Sequence, residues 1–236
     1  MHERPYQPER LPPAAERTID QKSLRAALTV ARRIHETDQA AQQAEPTTKD
    51  ERWELNARLR IAEMEALLAW SETNGLLWDA AEFTRRWLSY GEIEGGEHQV
   101  YQAEGLFYKR NNMAYHSSYL EYFHRVVLHN YLFAETALRF EGFVWYDNLL
   151  QPVISQKALL GRRGATRDEV EYEMKLRGFT RHVADNYHNP AVGILVEDLH
   201  DENVLVDTDG DLLIFDPVIY LVKPEMNLPA HQHPLS

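Results

Sequence analysis

The stretch Asp198-Leu199-His200-Asp201-Glu202-Asn203, followed further on by Asp216-Pro217, carries the residue types best suited to chemistry in this chain. An Asp and an Asn supply oxygen donors of the kind Mg²⁺ takes, a few protein oxygens completed by phosphate and water. A further Asp beside them would orient a hydroxyl and accept its proton. The flanking pattern predicts how the three meet. A β-prone run ends at Val196, Asp198 opens a loop, and Asn203 closes it as Val204–Val206 begins. A hairpin over 204–215, turning at Asp209-Gly210, then returns the chain to the same end of the sheet at Asp216. Asp198, Asn203 and Asp216 are therefore expected to converge.

Charge is distributed in keeping with that expectation. The 236 residues include 25 Lys+Arg and 37 Asp+Glu, for a net charge of −12. Residues 1–90 carry only −2 of it, and residues 91–236 carry −10. Glu197–Asp216 alone holds eight acidic residues and no Lys or Arg. A cation site explains that density better than a solvated face, provided the carboxylates meet. The acidity argues against broad nucleic-acid binding, which needs clustered Lys and Arg on the phosphates. The absence of cysteine excludes disulfides, thiolate zinc sites and a cysteine nucleophile. No run of about 18 apolar residues marks a membrane helix, and Met1–Pro5 lacks the apolar stretch of a signal peptide. A cytoplasmic protein without membrane contact is the expectation.

The elements that must position these residues read as follows. Residues 1–18, rich in Pro, Glu and Arg, are expected to form a mobile arm, and 19–90 a helical segment. Leu24, Leu28, Ala31 and Ile34 recur at helical spacing and predict a helix over 21–43. Thr48 and Glu51 form a capping box opening a second helix, with Trp53, Leu55, Leu59, Ile61, Met64, Leu67 and Leu68 as its apolar stripe and Asn74-Gly75 as its end. A third helix covers 79–89. From Gly91 the texture changes. His98–Gln102 and Leu106–Lys109 read as strands around Glu104-Gly105, and a helix follows from about Tyr115 to Asn130. Phe140–Trp145 and Leu149–Ile154 form another strand pair. Thr166 and Glu169 cap a helix that stops at Gly178. Val192–Val196, Val204–Val206 and Leu212–Phe215 are short strands. This is an α+β order, not alternating βαβ.

An Asp-x-x-x-x-Asn loop followed one hairpin later by an Asp resembles the protein-kinase and small-molecule-kinase superfamily. The Asp-Leu-His form and Asp216-Pro217 are nearer to aminoglycoside-type phosphotransferases. The resemblance assigns Asp198 as catalytic base and Asn203 and Asp216 as metal ligands. Gly95-Gly96 then falls where a Gly-rich turn lets backbone N–H groups approach phosphates. Lys109 falls at the end of the following strand, where its charge would neutralise nucleotide phosphates. Glu121, on the next helix, is the candidate partner of Lys109. Gln151–Gln156 would run into a hinge whose backbone, at Gln156, meets adenine.

Taken together, Gly-Gly-Glu-His-x-Val-Tyr, the Tyr119-Leu120 helix ending near His129-Asn130-x-Leu-Phe, Gln-Pro-Val-Ile, Gly178-Phe179 and Asp-Leu-His-x-x-Asn resemble one group. It is the small kinase-like domain of polyvalent proteins from phages and conjugative elements. The resemblance covers roughly residues 92–222. It implies a compact kinase-like α+β fold over 91–236, with an antiparallel N-lobe sheet and one helix, preceded by the helical segment. It also implies ATP and Mg²⁺ as cofactors and a hydroxyl acceptor of unspecified class. Asp216-Pro217-Val218 stands where such kinases carry Asp-Phe-Gly, no His precedes Asp198 in a His-Arg-Asp pattern, and 20 residues follow Asp216, so a reduced C-lobe is expected.

Plainer roles compete for the same residues. Asp198 and Asp216 taken singly suit loop capping. Lysine often ends an exposed strand, Glu121 suits a solvated helix face, and Gly95-Gly96 suits an ordinary turn. His200 suits loop packing. Asp207–Asp211 resembles a calcium loop, but its Gly is misplaced and no Glu follows at the required distance, so a hairpin turn is expected. At the level of function, a silent nucleotide-binding or partner-binding module is the alternative to a phosphotransferase. A metal-dependent phosphohydrolase would share the acidic cluster but need neither Lys109 nor the glycine turn.

Overall fold

A computed structural model describes residues 11–41, 48–90, 93–94, 98–159, 161 and 163–222. In chain order the helices are α1 (Pro13–Arg17), α2 (Lys22–Ala41), α3 (Lys49–Thr73), α4 (Ala80–Tyr90), α5 (Tyr119–Leu132) and α6 (Arg167–Leu176), with a 3₁₀ turn at Ala134–Thr136. The strands are β1 (Leu77–Trp78), β2 (Ile93–Glu94), β3 (His98–Ala103), β4 (Leu106–Asn111), β5 (Leu138–Tyr146), β6 (Leu149–Lys157), β7 (Arg163–Gly164), β8 (Thr180–Arg181), β9 (Tyr187–Asn189), β10 (Ile194–Glu197), β11 (Val204–Val206), β12 (Leu212–Ile214) and β13 (Val218–Leu221). The described residues fall into two units. One takes Arg17–Val127 and Leu138–Ala158, the other 11–16, Leu128–Ala137 and 159–222. The mixed helix-and-sheet composition is the α+β class expected. No helix among the described residues is long and apolar enough to cross a membrane.

The first unit is built on a six-stranded sheet of order β1-β5-β6-β4-β3-β2, antiparallel except for the β1–β5 pair. Tight hairpin turns set its registers. Glu104 and Gly105 both take positive φ between β3 and β4, and Asp147 and Asn148 do so between β5 and β6. Phe83 of α4 packs on Tyr101, Val144 and Val153. A bulge between Phe140 and Gly142 brings Phe140 and Phe143 together, with ring centroids 5.1 Å apart, and Phe123 of α5 meets Phe140 edge-on at 5.4 Å. Each such buried ring contributes about 1.5–3 kcal/mol.

Along α3 the Thr48–Glu51 capping box is present in both directions, and Asn74 closes the helix. The apolar stripe is narrower than its sequence suggests. Trp53 and Ile61 are 68% and 55% exposed. The buried row is Leu59, Glu63, Leu67 and Ser71, one residue every four.

The second unit holds two small antiparallel sheets, β13-β10-β9-β8 and β12-β11-β7. Helix α6 opens on the Thr166–Glu169 capping box. It ends as expected at Gly178, where φ is +81°, with the Gly178 N–H on Lys175 O (3.0 Å) and the Phe179 N–H on Met174 O (2.9 Å).

Candidate functional site

The topology of the second unit builds a site from two strand connections. Strands β10 and β13 pair with Glu197 opposite Val218, and β11 and β12 pair with Val204 opposite Ile214. The chain crosses from β10 to β11 through residues 198–203, and from β12 to β13 through 215–217. Since both pairs are antiparallel neighbours, the two crossings run side by side. The Phe215 N–H donates to Asn203 O at 3.2 Å and joins them. Asp198, Asn203 and Asp216 thus lie on adjacent connections.

Within the first crossing the geometry is over-determined. Asp198 adopts φ +68°, a left-handed conformation that a residue with a Cβ avoids unless its surroundings impose it. The Asp198 N–H reaches Asn186 Oδ1 at 3.4 Å, the Leu199 N–H reaches Asp185 O at 3.2 Å, and the Leu199 side chain is buried. From the far end of the loop, Asn203 Nδ2 donates to Asp198 O (3.0 Å) and Asp198 Oδ2 (3.1 Å). That orients the amide, turning its nitrogen to Asp198 and presenting Oδ1 as an oxygen donor to other groups.

The His200 ring completes the loop. Its Nδ1 accepts the Glu202 N–H at 3.2 Å. Nε2 stands 3.3 Å from Asp198 Oδ1. Nε2 also lies 3.2 Å from Asn203 Nδ2, the group that donates to Asp198 Oδ2. The Asp198 side chain stays 53% exposed, open to an incoming group. Gly164 of β7 makes room for the loop, since a Cβ there would stand 2.7 Å from Asp201 O. Asp207 serves its own hairpin, with Oδ1 accepting the Asp209 (2.8 Å) and Asp211 (3.0 Å) amides.

Among the described residues no three His, Cys, Asp or Glu side chains are grouped to hold a metal. A cation at the two crossings would rest on the oxygens of Asn203 and Asp216 together with phosphate and water. That hard, oxygen-only donor set fits Mg²⁺.

The remaining sequence candidates lie in the first unit or outside the described residues. Lys109 is buried in β4, between Val100 of β3 and Ile154 of β6. Gln156 is buried inside β6, between Phe107 and Leu138. Gly95 and Gly96 lie outside the described residues.

The carboxylate of Glu121 is engaged by its own helix terminus. Oε2 accepts the Ser117 N–H (2.9 Å) and hydroxyl (2.6 Å), Oε1 accepts from Arg125 (2.7 Å), and Ser118 Oγ accepts the Glu121 N–H (3.0 Å). Burial pushes this carboxyl up, but Arg125, His116 and the two Ser117 bonds outweigh it and hold the group below the ordinary carboxylate value. Glu121 is the third residue after the Ser118 cap, and its side chain folds back onto Ser117, the residue before that cap.

The sequence reading missed three residues that hold this region. Glu63 of α3 is fully buried and accepts the Tyr119 and Leu120 amides at 2.9 Å each, while His35 Nε2 of α2 lies 2.9 Å from its Oε1. One turn away on α3, Arg60 donates to Met113 O (3.0 Å) and His116 O (3.2 Å). The available signal was a charged residue midway between Leu59 and Leu67 in the buried row.

Comparison with curated proteins and with solved structures gives no match. Comparison with protein families gives one over residues 60–223, which is more than half of the chain and spans both strand crossings and the Lys109 strand. The chain belongs to the family described as the serine/threonine/tyrosine kinase found in polyvalent proteins.

Proposed function

We propose that the protein is a Mg²⁺-ATP-dependent phosphotransferase in which Asp198 orients an acceptor hydroxyl and takes its proton. The new bond runs from the acceptor oxygen to the γ-phosphorus, the bond from that phosphorus to the β–γ bridging oxygen breaks, and ADP leaves. Mg²⁺, held by Asn203 and Asp216, would supply charge neutralisation at the phosphates. Lys109 would add a fixed positive charge to them, and the strand end after Gln156 would meet the adenine. Glu121 takes no part with Lys109, since its carboxylate is held by Ser117 and Arg125.

The observation that carries this reading is the pair of adjacent crossings, with Asp198 half exposed, its Oδ2 accepting from Asn203 Nδ2 and its Oδ1 3.3 Å from His200 Nε2. The experiment is Mg²⁺-dependent transfer of labelled γ-phosphate by wild type, Asp198→Asn and Asp216→Asn. Asp198→Asn is expected to lower transfer by about 10²–10⁴-fold with nucleotide still bound. Asp216→Asn is expected to weaken Mg²⁺-dependent nucleotide binding itself.

One observation favours a second reading, a nucleotide-binding module without turnover: the Glu121 carboxylate is spent on Ser117 and Arg125. Nucleotide binding with no transfer above the Asp198→Asn background would select it and sink the first.

A further inference from the structure

The segment between β4 and α5 is gripped from both sides by one turn of α3. Arg60 takes two of its carbonyls, those of Met113 and His116, and Glu63 takes the first two amides of α5, those of Tyr119 and Leu120. The grip falls on a strained point. Met113 is a buried non-glycine residue at φ +59°, two positions beyond the last residue of β4, with its N–H on Asn111 Oδ1 at 2.7 Å. Such a conformation persists only where the surroundings impose it. Here they are Asn111 from within the segment and Arg60 from α3. Glu63 is backed in turn by His35 of α2, so α2 and α3 both bear on the joint.

A helix start has open amides pointing along its axis, and a buried carboxylate fixed on them sets the axis direction. The same turn of α3 therefore fixes both ends of the connection, the exit of the strand carrying Lys109 and the entry of α5. We infer that Arg60 and Glu63 are positioning residues for nucleotide binding, holding Lys109 in place through the Met113–Leu120 connection. The α2–α3 pair is then a built-in brace of the nucleotide site. This inference rests on the phosphotransferase reading above.

The test is a double-mutant cycle in the full chain, read by titration with the fluorescent nucleotide TNP-ATP in the presence of Mg²⁺. Hydrogen exchange over 106–120 is followed in parallel. Arg60→Ala is expected to weaken TNP-ATP binding by about tenfold or more, the scale of a slight misplacement of a binding group. Exchange in 106–120 should quicken while α6 and β8–β13 keep wild-type rates. Arg60→Lys, which retains a charged donor to the two carbonyls, is expected to recover most of the affinity. Arg58→Ala on the same helix, which removes a pair with Asp38 of α2, is expected to leave binding at the wild-type level.

The decisive arm is coupling. In a Lys109→Ala background, Arg60→Ala should have little further effect, because the group it positions is gone. Full additivity of the two, or wild-type affinity in folded Arg60→Ala, overturns the inference and leaves the phosphotransferase reading standing. Failure of the wild type to bind TNP-ATP, or binding indifferent to Lys109→Ala, overturns both. Glu63→Gln adds an independent arm where it folds, with the same expected loss and the same coupling.

Discussion

His124 gives the sharpest quantitative prediction. It lies on α5 within the first unit, nearly buried, and its Nε2 has no hydrogen-bond partner among the described residues. Burial disfavours the imidazolium most, and Arg32 and His35 on α2 add like charge, against a smaller pull from Glu121 on its own helix. The balance takes the ring from an ordinary 6.5 down to about 3. Between those values the unfolded chain carries a proton that the folded chain refuses, so stability rises with pH across the window. The contribution is fully present above 6.5 and is lost progressively below it.

Each pH unit costs at most about 1.4 kcal/mol, so moving from pH 6.5 to about 4.5 removes roughly 2–3 kcal/mol through this group alone. Glu121 acts in the same direction but in a lower window, since a depressed carboxyl begins to lose its contribution near its ordinary 4.5. His188, also depressed by burial, titrates in both proteins and cancels in the comparison. The assay is urea unfolding of wild type and His124→Gln, followed by far-UV circular dichroism at several pH values from about 4.5 to 7.5. The variant is expected to be less stable at neutral pH, where it loses fit. Its stability should then fall by about 2–3 kcal/mol less than wild type on acidification. Parallel curves would refute the argument, because they would mean that no proton is taken up at His124 on unfolding.

Other positions test the site and the frame around it. Gly164→Ala puts a Cβ 2.7 Å from Asp201 O, where backbone must yield, so phosphate transfer should fall while nucleotide affinity changes less; an unaltered kcat would count against the packing argument. Asn203→Ala removes both bonds to Asp198 and one oxygen offered to Mg²⁺, and transfer should drop by about 10²-fold or more, measured at saturating Mg²⁺ to separate the two effects. Gly178→Ala forces φ +81° on a residue with a Cβ and should lower unfolding free energy by about 1–2 kcal/mol in urea titration. Thr166→Ala removes the cap of α6 and should cost about 1 kcal/mol by the same measurement.

Local signals were legible in the sequence, and tertiary ones were not. The capping boxes at Thr48 and Thr166, the stop at Gly178 and the turn at Asp209-Gly210 each depend on a few adjacent residues, and each stands where the sequence puts it. The start of α5 does not. It was expected near Tyr115 and lies at Tyr119, because the Met113 turn uses the intervening residues and Ser118 caps the first helical amides. Strand β13 carried no local mark. Val218–Leu221 is a strand because β10 offers it a partner in register, some twenty residues back in the chain. The α3 stripe erred by the usual equation of charge with solvent. Periodicity assigned Trp53 and Ile61 inward and passed over Glu63, yet Glu63 is buried because two helix amides and His35 satisfy it. The three residues of the two crossings were nameable because a hairpin is a short-range device. The loop's supports at Asn186, Asp185 and Gly164 come from other segments and had no local signature.

The way a carboxylate is held marks the ones fixed in the frame better than the density of acidic residues does. Glu51, Glu169 and Glu121 accept main-chain amides at the start of their own helices, Glu63 accepts two amides of a different helix, and Asp207 accepts two amides of its own hairpin. A main-chain donor cannot move without its element moving, so these groups are fixed parts of the frame. Asp198 differs. Among the described residues its side-chain oxygens face only other side chains, His200 and Asn203, and half of its surface stays open. A carboxylate so placed stays open to solvent, as the proposed role of Asp198 in taking a proton requires. The acidic residues between Glu197 and Asp216 thus serve more than one end. Asp207 belongs to the turn that folds the hairpin, and Asp198 to the loop that the hairpin returns to face.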